Sequence, residues 1–474
     1  MEWFEASDAW LSRVLVQRAL AGVYIIAFVT AALQFRPLAG ASGLLPVPRL
    51  LRHITFQAAP SVFHWHYSDR FFGVVAWSGA GLAVALAAGA ADLLPLWGAM
   101  LMWAVLWALY LSIVNVGQLW YAFGWESLLL EAGFLAIFLG NERTAPPVLM
   151  LWLLRWLLFR VEFGAGLIKW RGDPCWRDLT CLYYHHETQP MPGPLSWYFH
   201  RLPKPLHRIE AAANHLTQLL VPIALFLPQP VAGIAAAVMI VTQLWLVLSG
   251  NFAWLNWLTI ALALSALDTG AVTEPRTYDA VPLWYVVLVC AVTGLVAVLS
   301  YRPVRNLLSS GQQMNRSFDA LHLVNTYGAF GSVTRLRHEV VIEGTDATTP
   351  GEEAVWQEYE FPGKPGDVRR RPPQFAPCHL RLDWQLWFAA LSPARAVGWL
   401  TPLVDKLLVN DAPTLRLLRH NPFPRTPPVH VRVLLYRYRF TTRGERRETG
   451  AWWHRTLIGE LLPPVAGPSP ADRI

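Results

Sequence analysis

Charge is what this chain has least of. Lys, Arg, Asp and Glu supply 15% of its 474 residues, against about 25% in an ordinary soluble domain. A water-facing globule of this length is excluded, and 54% hydrophobic residues with 24 tryptophans point to a polytopic membrane protein. Recognisable catalytic motifs are also missing. No glycine loop is built to cradle phosphate, no G-x-S-x-G elbow presents a nucleophile, and no H-E-x-x-H places two metal ligands on one helix face. Neither an internal repeat nor a coiled-coil heptad is present. The net charge of +7 would suggest nucleic acid in a soluble chain. Here the basic residues cluster beside apolar runs and suit anionic headgroups, so membrane lipid is an expected partner and nucleic acid is not.

A helix needs about 20 apolar residues to cross the hydrocarbon core. Nine segments qualify: 15–35, 71–91, 96–114, 121–140, 148–168, 211–227, 231–250, 252–267 and 282–301. The first lacks a small-residue cleavage site and reads as a retained span, not a removed leader. The expected fold is thus mainly α, a membrane helix bundle of about nine spans over residues 1–310, with polar loops at 36–70 and 169–210. After Tyr301 the pattern changes. "RLRHEVVIEG" and "AVWQEYEF" alternate at period two, as do "VHVRVLLYRYRF" and "TGAWWHRTLIGEL", and each pair reads as antiparallel strands. "LDWQLWFAAL" and "WLTPLVDKLLV" between them carry helical spacing. Residues 314–464 are therefore expected to form a small α+β domain, and 465–474 a disordered tail.

Three groups of residues are candidates for chemistry. The interruption "GDPCWRDLTCLYYHHETQPMPGPLSWYFHRLP" holds Asp173, Cys175, Trp176, Arg177, Asp178, Cys181, Glu187 and Gln189. It is too long for a turn and too aromatic for a linker, so it reads as an ordered loop. Its two cysteines admit a small disulfide ring, zinc binding with His185, His186 and Glu187, or unpaired thiols packed on Trp176. The spacing matches no standard zinc pattern, and no metal is expected. The second group is intramembrane: Asn115, Gln118, Glu126 and Glu131, then Arg155, Arg160 and Glu162. Ionisable groups in lipid face a partner or a watery cavity, and Arg155 and Glu162, two helical turns apart, are expected to share a face. Third, Lys169 ends an apolar helix, where burial would make it a base and snorkelling would leave it a lipid anchor.

The loop sequence, with "VGQLWYAFGWESLLLEAGFLAIF", "LSGNFAWLNWLTIALAL", "LVNTYGAFGSVTRLRHEVVIEGT", "WQEYEFPGKPGD" and "RLDWQLWFAAL", resembles the lipase maturation factor family over most of the chain. The resemblance implies a multi-spanning protein, in animals of the endoplasmic reticulum, needed for secreted dimeric lipases to fold. It implies a secreted lipase-like client, which the loop and Trp384, Trp387 and Phe388 of "LDWQLWFAAL" would contact; no cofactor is expected. The composition, heavy in alanine, arginine and proline, points to a bacterial member in an inner membrane. More distantly, "FGAGLIKWRGD" is similar to the vitamin K-dependent carboxylase group, which implies an alternative: an intramembrane enzyme with Lys169 as base, assisted by His185 or His186. A transporter would need a pair of broken helices, and none is evident. The resemblance puts the α+β domain outside the cytoplasm. The positive-inside rule puts it inside, because Arg36, Arg70, Arg171, Arg201 and Arg305 fall on its side of the membrane.

Overall fold

The structure, a computed structural model, describes residues 3–467 apart from 271, 272, 275, 279 and 352. The helical part comprises α1 (Trp10–Ala39), α2 (Asp69–Ala88), α3 (Leu96–Val116), α4 (Gly124–Ala136), α5 (Val148–Arg171), α6 (Leu182–Thr188), α7 (Lys204–Leu219), α8 (Val231–Ser249), α9 (Leu255–Ala263) and α10 (Leu283–Leu299), with shorter turns between them. Local signals set the ends. The Ser68 side chain caps α2, and Gly89 closes it in the left-handed region at φ 101°, a conformation that glycine adopts without strain. Small residues allow α1 close approaches on two sides. A Cβ at Gly79 would lie 2.2 Å from the Phe28 ring, and one at Gly133 would strike the Tyr24 hydroxyl.

Among the described residues, five helical stretches are long and apolar enough to cross a membrane: 7–39, 69–88, 96–116, 231–249 and 283–308. Four of the nine expected spans are of another kind. The segment 121–140 contains only the 13-residue α4, roughly 20 Å at 1.5 Å per residue. Segment 211–227 starts inside the polar-faced α7, which stops at Leu219 before Pro222. Segment 252–267 is broken into the nine-residue α9 and a 3-10 turn. The 24-residue α5 is long enough but carries Arg155, Arg160 and Glu162 in its middle. Apolar composition had suggested spans where the helices are too short or too charged.

The C-terminal region contains β1 (Arg337–Thr345), β2 (Gln357–Glu358), α11 (Arg381–Leu391), α12 (Val397–Leu408), β3 (His430–Phe440) and β4 (Trp453–Ala466). The sheet is wholly antiparallel, in the order β2-β1-β3-β4. Its register sets Val341 opposite Leu434 and Leu435 opposite Gly459. Both strand pairs read from the period-two pattern are present, and the two intervening helices are α11 and α12. β1 is buried along nearly its whole length because α11 covers it. The first residues of the expected tail, Val465 and Ala466, still belong to β4, and 468–474 lie outside the described residues.

Candidate functional site

α4 carries two glutamates five residues apart, which at 3.6 residues per turn point roughly 140° from one another. Both are buried, and each is met by a different part of the C-terminal region. Glu126 Oε1 pairs with Arg381 Nη1 at 2.7 Å and has His379 Nδ1 at 3.6 Å, while Tyr110 of α3 donates to its other oxygen. Arg381 also donates to the Trp120 carbonyl at 2.6 Å and lies 3.5 Å over the Tyr121 ring. Glu131 forms an ion pair with Arg160 of α5. It also accepts from the Tyr327 hydroxyl at 2.7 Å and from the Asn325 backbone and side chain at 3.0 and 2.9 Å. Removing a carboxylate from water is costly unless it is paired and hydrogen-bonded, and these contacts meet that cost.

The other polar residues expected within the membrane also bond to backbone and side chains from distant segments. Asn115 donates to the carbonyls of Pro60 and Ala320, and Gln118 to that of Leu45. Arg155 and Glu162, expected to share a face, are engaged by different surroundings. Glu162 accepts from Gln218 at 3.1 Å and Gln243 at 2.6 Å, whereas Arg155 lines a cavity of about 130 Å³ with Asp8, Gln229 and Asp268. Spacing placed the two on one face but gave no information about the helices opposite. Lys169 does not snorkel: it is 5% exposed, donates to Asn214 at 3.0 Å and Gln218 at 2.8 Å, and sits 5.0 Å over Trp176. The result is a buried chain from Lys169 through Gln218 and Glu162 to Gln243 and Asn256. The Arg155 cavity lies 14 residues away along α5, roughly 21 Å, so it is not a pocket at Lys169.

The loop after α5 links the bundle to the sheet. Gly172 passes so close to Gly331 that a Cβ would lie 2.1 Å from its carbonyl oxygen. Asp173 takes both guanidinium nitrogens of Arg335, at 2.9 and 3.0 Å. Cys175 and Cys181 are joined by a disulfide, with Cα atoms 4.8 Å apart. Trp176 donates to the Phe330 carbonyl at 2.8 Å, and Glu187 accepts from the Phe440 amide at 2.7 Å. Gln189 donates to Ser249. Arg337 of β1 donates to the carbonyls of Glu187, Gln189 and Pro190. Of the loop residues singled out in the sequence, Arg177 and Asp178 remain exposed. His185 is packed between Phe252 and Phe330, where burial holds its pKa well below the ordinary value. Trp384 is not a free contact surface but is buried against Phe123, Trp125 and His379. Trp387 is half-buried, and Phe388 faces outward.

Sequence reasoning missed the residues that complete these contacts: Asn325, Arg335, Arg337, Glu339, His379 and Arg381. The only available signal was that β1 has charges at 337, 339 and 343, all on one face of the strand, and the structure shows that face to be buried. There Glu339 pairs with Arg337 and with Lys364. Next to it, burial pushes Asp383 up to about 7, against the Gly363 amide at 2.6 Å and nearby Lys364.

Two family models match the chain, described as the lipase maturation factor transmembrane domain at residues 11–274 and the C-terminal domain at 323–463. Lipase maturation factor 1 of Mus musculus is 42% identical over 96% of this chain and 87% of its own length. The Homo sapiens protein of that name is 42% identical, over 96% and 88%. Lipase maturation factor 2 of Rattus norvegicus is 29% identical over 97% and 84%. No solved structure matches. The relatives are animal proteins, which overturns the bacterial origin read from composition. An excess of alanine, arginine and proline reports nucleotide bias, which is not confined to bacteria.

Arg381→Ala leaves Glu126 buried without its cation and is expected to cost about 3–5 kcal/mol. Thermal unfolding in detergent measures this, and Glu126→Gln with Arg381→Met should recover part of the loss. A midpoint unchanged by Arg381→Ala would show that the pair does not hold the two regions together. For Asp383 the folded pKa lies above the ordinary value of about 3.9, so the folded state binds the proton more tightly. Its contribution to stability is present below about pH 4 and is lost as pH rises through about 7. Midpoints recorded from pH 5 to 8 should fall less for Asp383→Asn than for the unaltered protein, and parallel curves would contradict the assignment.

Proposed function

The chain belongs to the lipase maturation factor family, and on that basis we propose that it is a membrane-integral maturation factor acting on a secreted lipase-like hydrolase. The observation carrying this reading is 42% identity that runs through both the membrane part and the C-terminal part. The arrangement of the chain supports it. A site needing only the bundle would not require the C-terminal helix α11 to supply the partner of Glu126, whereas a platform for another protein benefits from a rigid joint.

Two exposed features suit client contact. β4 is an edge strand of 14 residues, paired only with β3 among the described residues, and Leu457 and Ile458 on it are exposed. A segment of client in extended conformation pairs with such an edge through its backbone. On and just after α11, Phe388, Leu391 and Val397 present apolar side chains to solvent. The carboxylase-like alternative is not favoured, since the Lys169 ammonium is held by Asn214 and Gln218.

The test uses cells lacking the gene, with or without this chain restored. Active secreted lipase should fall without it while lipase synthesis stays constant, and the intact chain should restore activity. Unchanged active yield in the deleted cells would sink the proposal. Lys169→Ala should still complement if it accumulates, and complete loss of function at normal abundance would move the reading to an enzyme.

The disulfide-bearing loop is bonded to the sheet, so both lie on one side of the membrane. Disulfides persist in oxidising compartments, and we place that side away from the cytoplasm. In a variant without Cys290 and Cys378, a membrane-impermeant thiol reagent should label Cys175 and Cys181 only after reduction, in sealed vesicles whose extracytoplasmic face is outward. Labelling without reduction, and only after permeabilising, would put the domain in the cytoplasm.

A further inference from the structure

We propose that His186, His207 and Glu210 form a binding site for a first-row divalent cation of the zinc type. One ligand atom from each lies within 4.8 Å of the other two. His207 and Glu210 are three residues apart near the start of α7 and so share one face of that helix. The folded loop brings His186 across from α6.

The hydrogen bonding points to a ligand. His186 is 1% exposed, yet neither of its ring nitrogens has a hydrogen-bond partner, and Nδ1 of His207 and Oε2 of Glu210 are buried and unpartnered as well. Buried polar atoms in such numbers at one spot are costly unless something bonds them. They do not satisfy each other: His186 Nε2 and Glu210 Oε2 are 3.8 Å apart, too far for a hydrogen bond. The separation suits two atoms sharing a metal. Donors about 2.0–2.2 Å from zinc stand roughly 3.3–3.6 Å apart at tetrahedral angles, so the cluster needs to contract by on the order of 1 Å.

The donor chemistry narrows the choice. Two imidazoles and a carboxylate suit zinc or a neighbouring first-row ion and leave a fourth position for water. The surroundings resemble the support that metal ligands receive. Trp245 donates to the other oxygen of Glu210 at 2.8 Å, orienting the carboxylate as outer-shell partners do. Phe199 stacks on His186 at 5.4 Å, and Tyr183 packs edge-on to His207 at 5.9 Å. The other cluster of metal-type residues, Asp173 with Cys175 and Cys181, is committed elsewhere: the thiols are joined to each other and the carboxylate to Arg335. His186 falls within the interruption that ends at Pro203, and the other two ligands follow it at the start of α7. A bound ion would pin the loop to α7 at a point the disulfide does not reach.

The experiment uses the full-length protein in detergent, stripped with a chelator and titrated with Co²⁺, whose visible bands strengthen in low-symmetry coordination. One Co²⁺ per chain with intense visible bands, displaced by Zn²⁺, is the expected result. His207→Gln and Glu210→Gln should lose the bands while matching the metal-free protein in gel filtration. Trp245→Phe, which leaves every ligand in place, should weaken the affinity by about 10- to 100-fold. This variant and the spectrum of the unaltered chain decide the matter if either ligand variant fails to fold. A spectrum of hydrated Co²⁺ alone would overturn the proposal. So would bands that survive both ligand substitutions, or a Trp245→Phe affinity equal to that of the unaltered chain.

Discussion

Everything in this fold depends on where the two carboxylates of α4 find their partners. In a bundle this apolar, an unpaired glutamate is costly, and α4 carries two on different sides. One is met by Arg381, delivered by a helix that begins 255 residues later. The other is met by Arg160 from the neighbouring helix and by Asn325 and Tyr327 from the segment leading to the sheet. The C-terminal region is therefore part of the electrostatic core of the bundle. The joint is also aromatic, with Trp125 and Trp384 packed edge to face at 5.0 Å and Trp254 donating to the Trp125 carbonyl.

The loop between α5 and α7 completes that joint. It touches the bundle through Gln189 and Ser249, the segment before β1 through Asp173 and Arg335, and the sheet through Glu187 and Phe440. Many of its polar and aromatic residues, among them Asp173, Trp176, Glu187 and Gln189, bond inward to these partners, while Arg177 and Asp178 stay exposed, which accounts for a composition that suits neither a linker nor a membrane span.

How much of this was legible in the sequence follows from the range of each interaction. The strand pairs could be read because their period-two pattern is local and their partners lie nearby in the chain. Five of the nine expected spans, not all nine, coincide with helices long and apolar enough to cross, because hydropathy averages over windows and does not register that α4 is only 13 residues long or that α9 gives way to a 3-10 turn. Glu126 and Glu131 could be singled out as groups needing partners, but Arg381 and Asn325 could not be matched to them, since no spacing rule spans such separations. The same limit applies to Arg155 and Glu162: helical geometry predicts a shared face, while the residues opposite are decided by tertiary packing. His207 and Glu210 escaped notice because an H-x-x-E pair on an amphipathic helix usually marks a solvated face.

The distance along the chain between Glu126 and Arg381 also has a consequence during synthesis. At about 5–20 residues per second, the 255 residues that separate them take roughly 13–51 s to translate. For that time the early helices sit in the membrane with a carboxylate whose cation has not yet been made. The bundle therefore cannot finish folding from its N-terminus forward, and its last electrostatic contact waits for nearly the whole chain to emerge. A ribosome that stalls or stops before residue 381 releases a bundle in which Glu126 lacks its Arg381 partner.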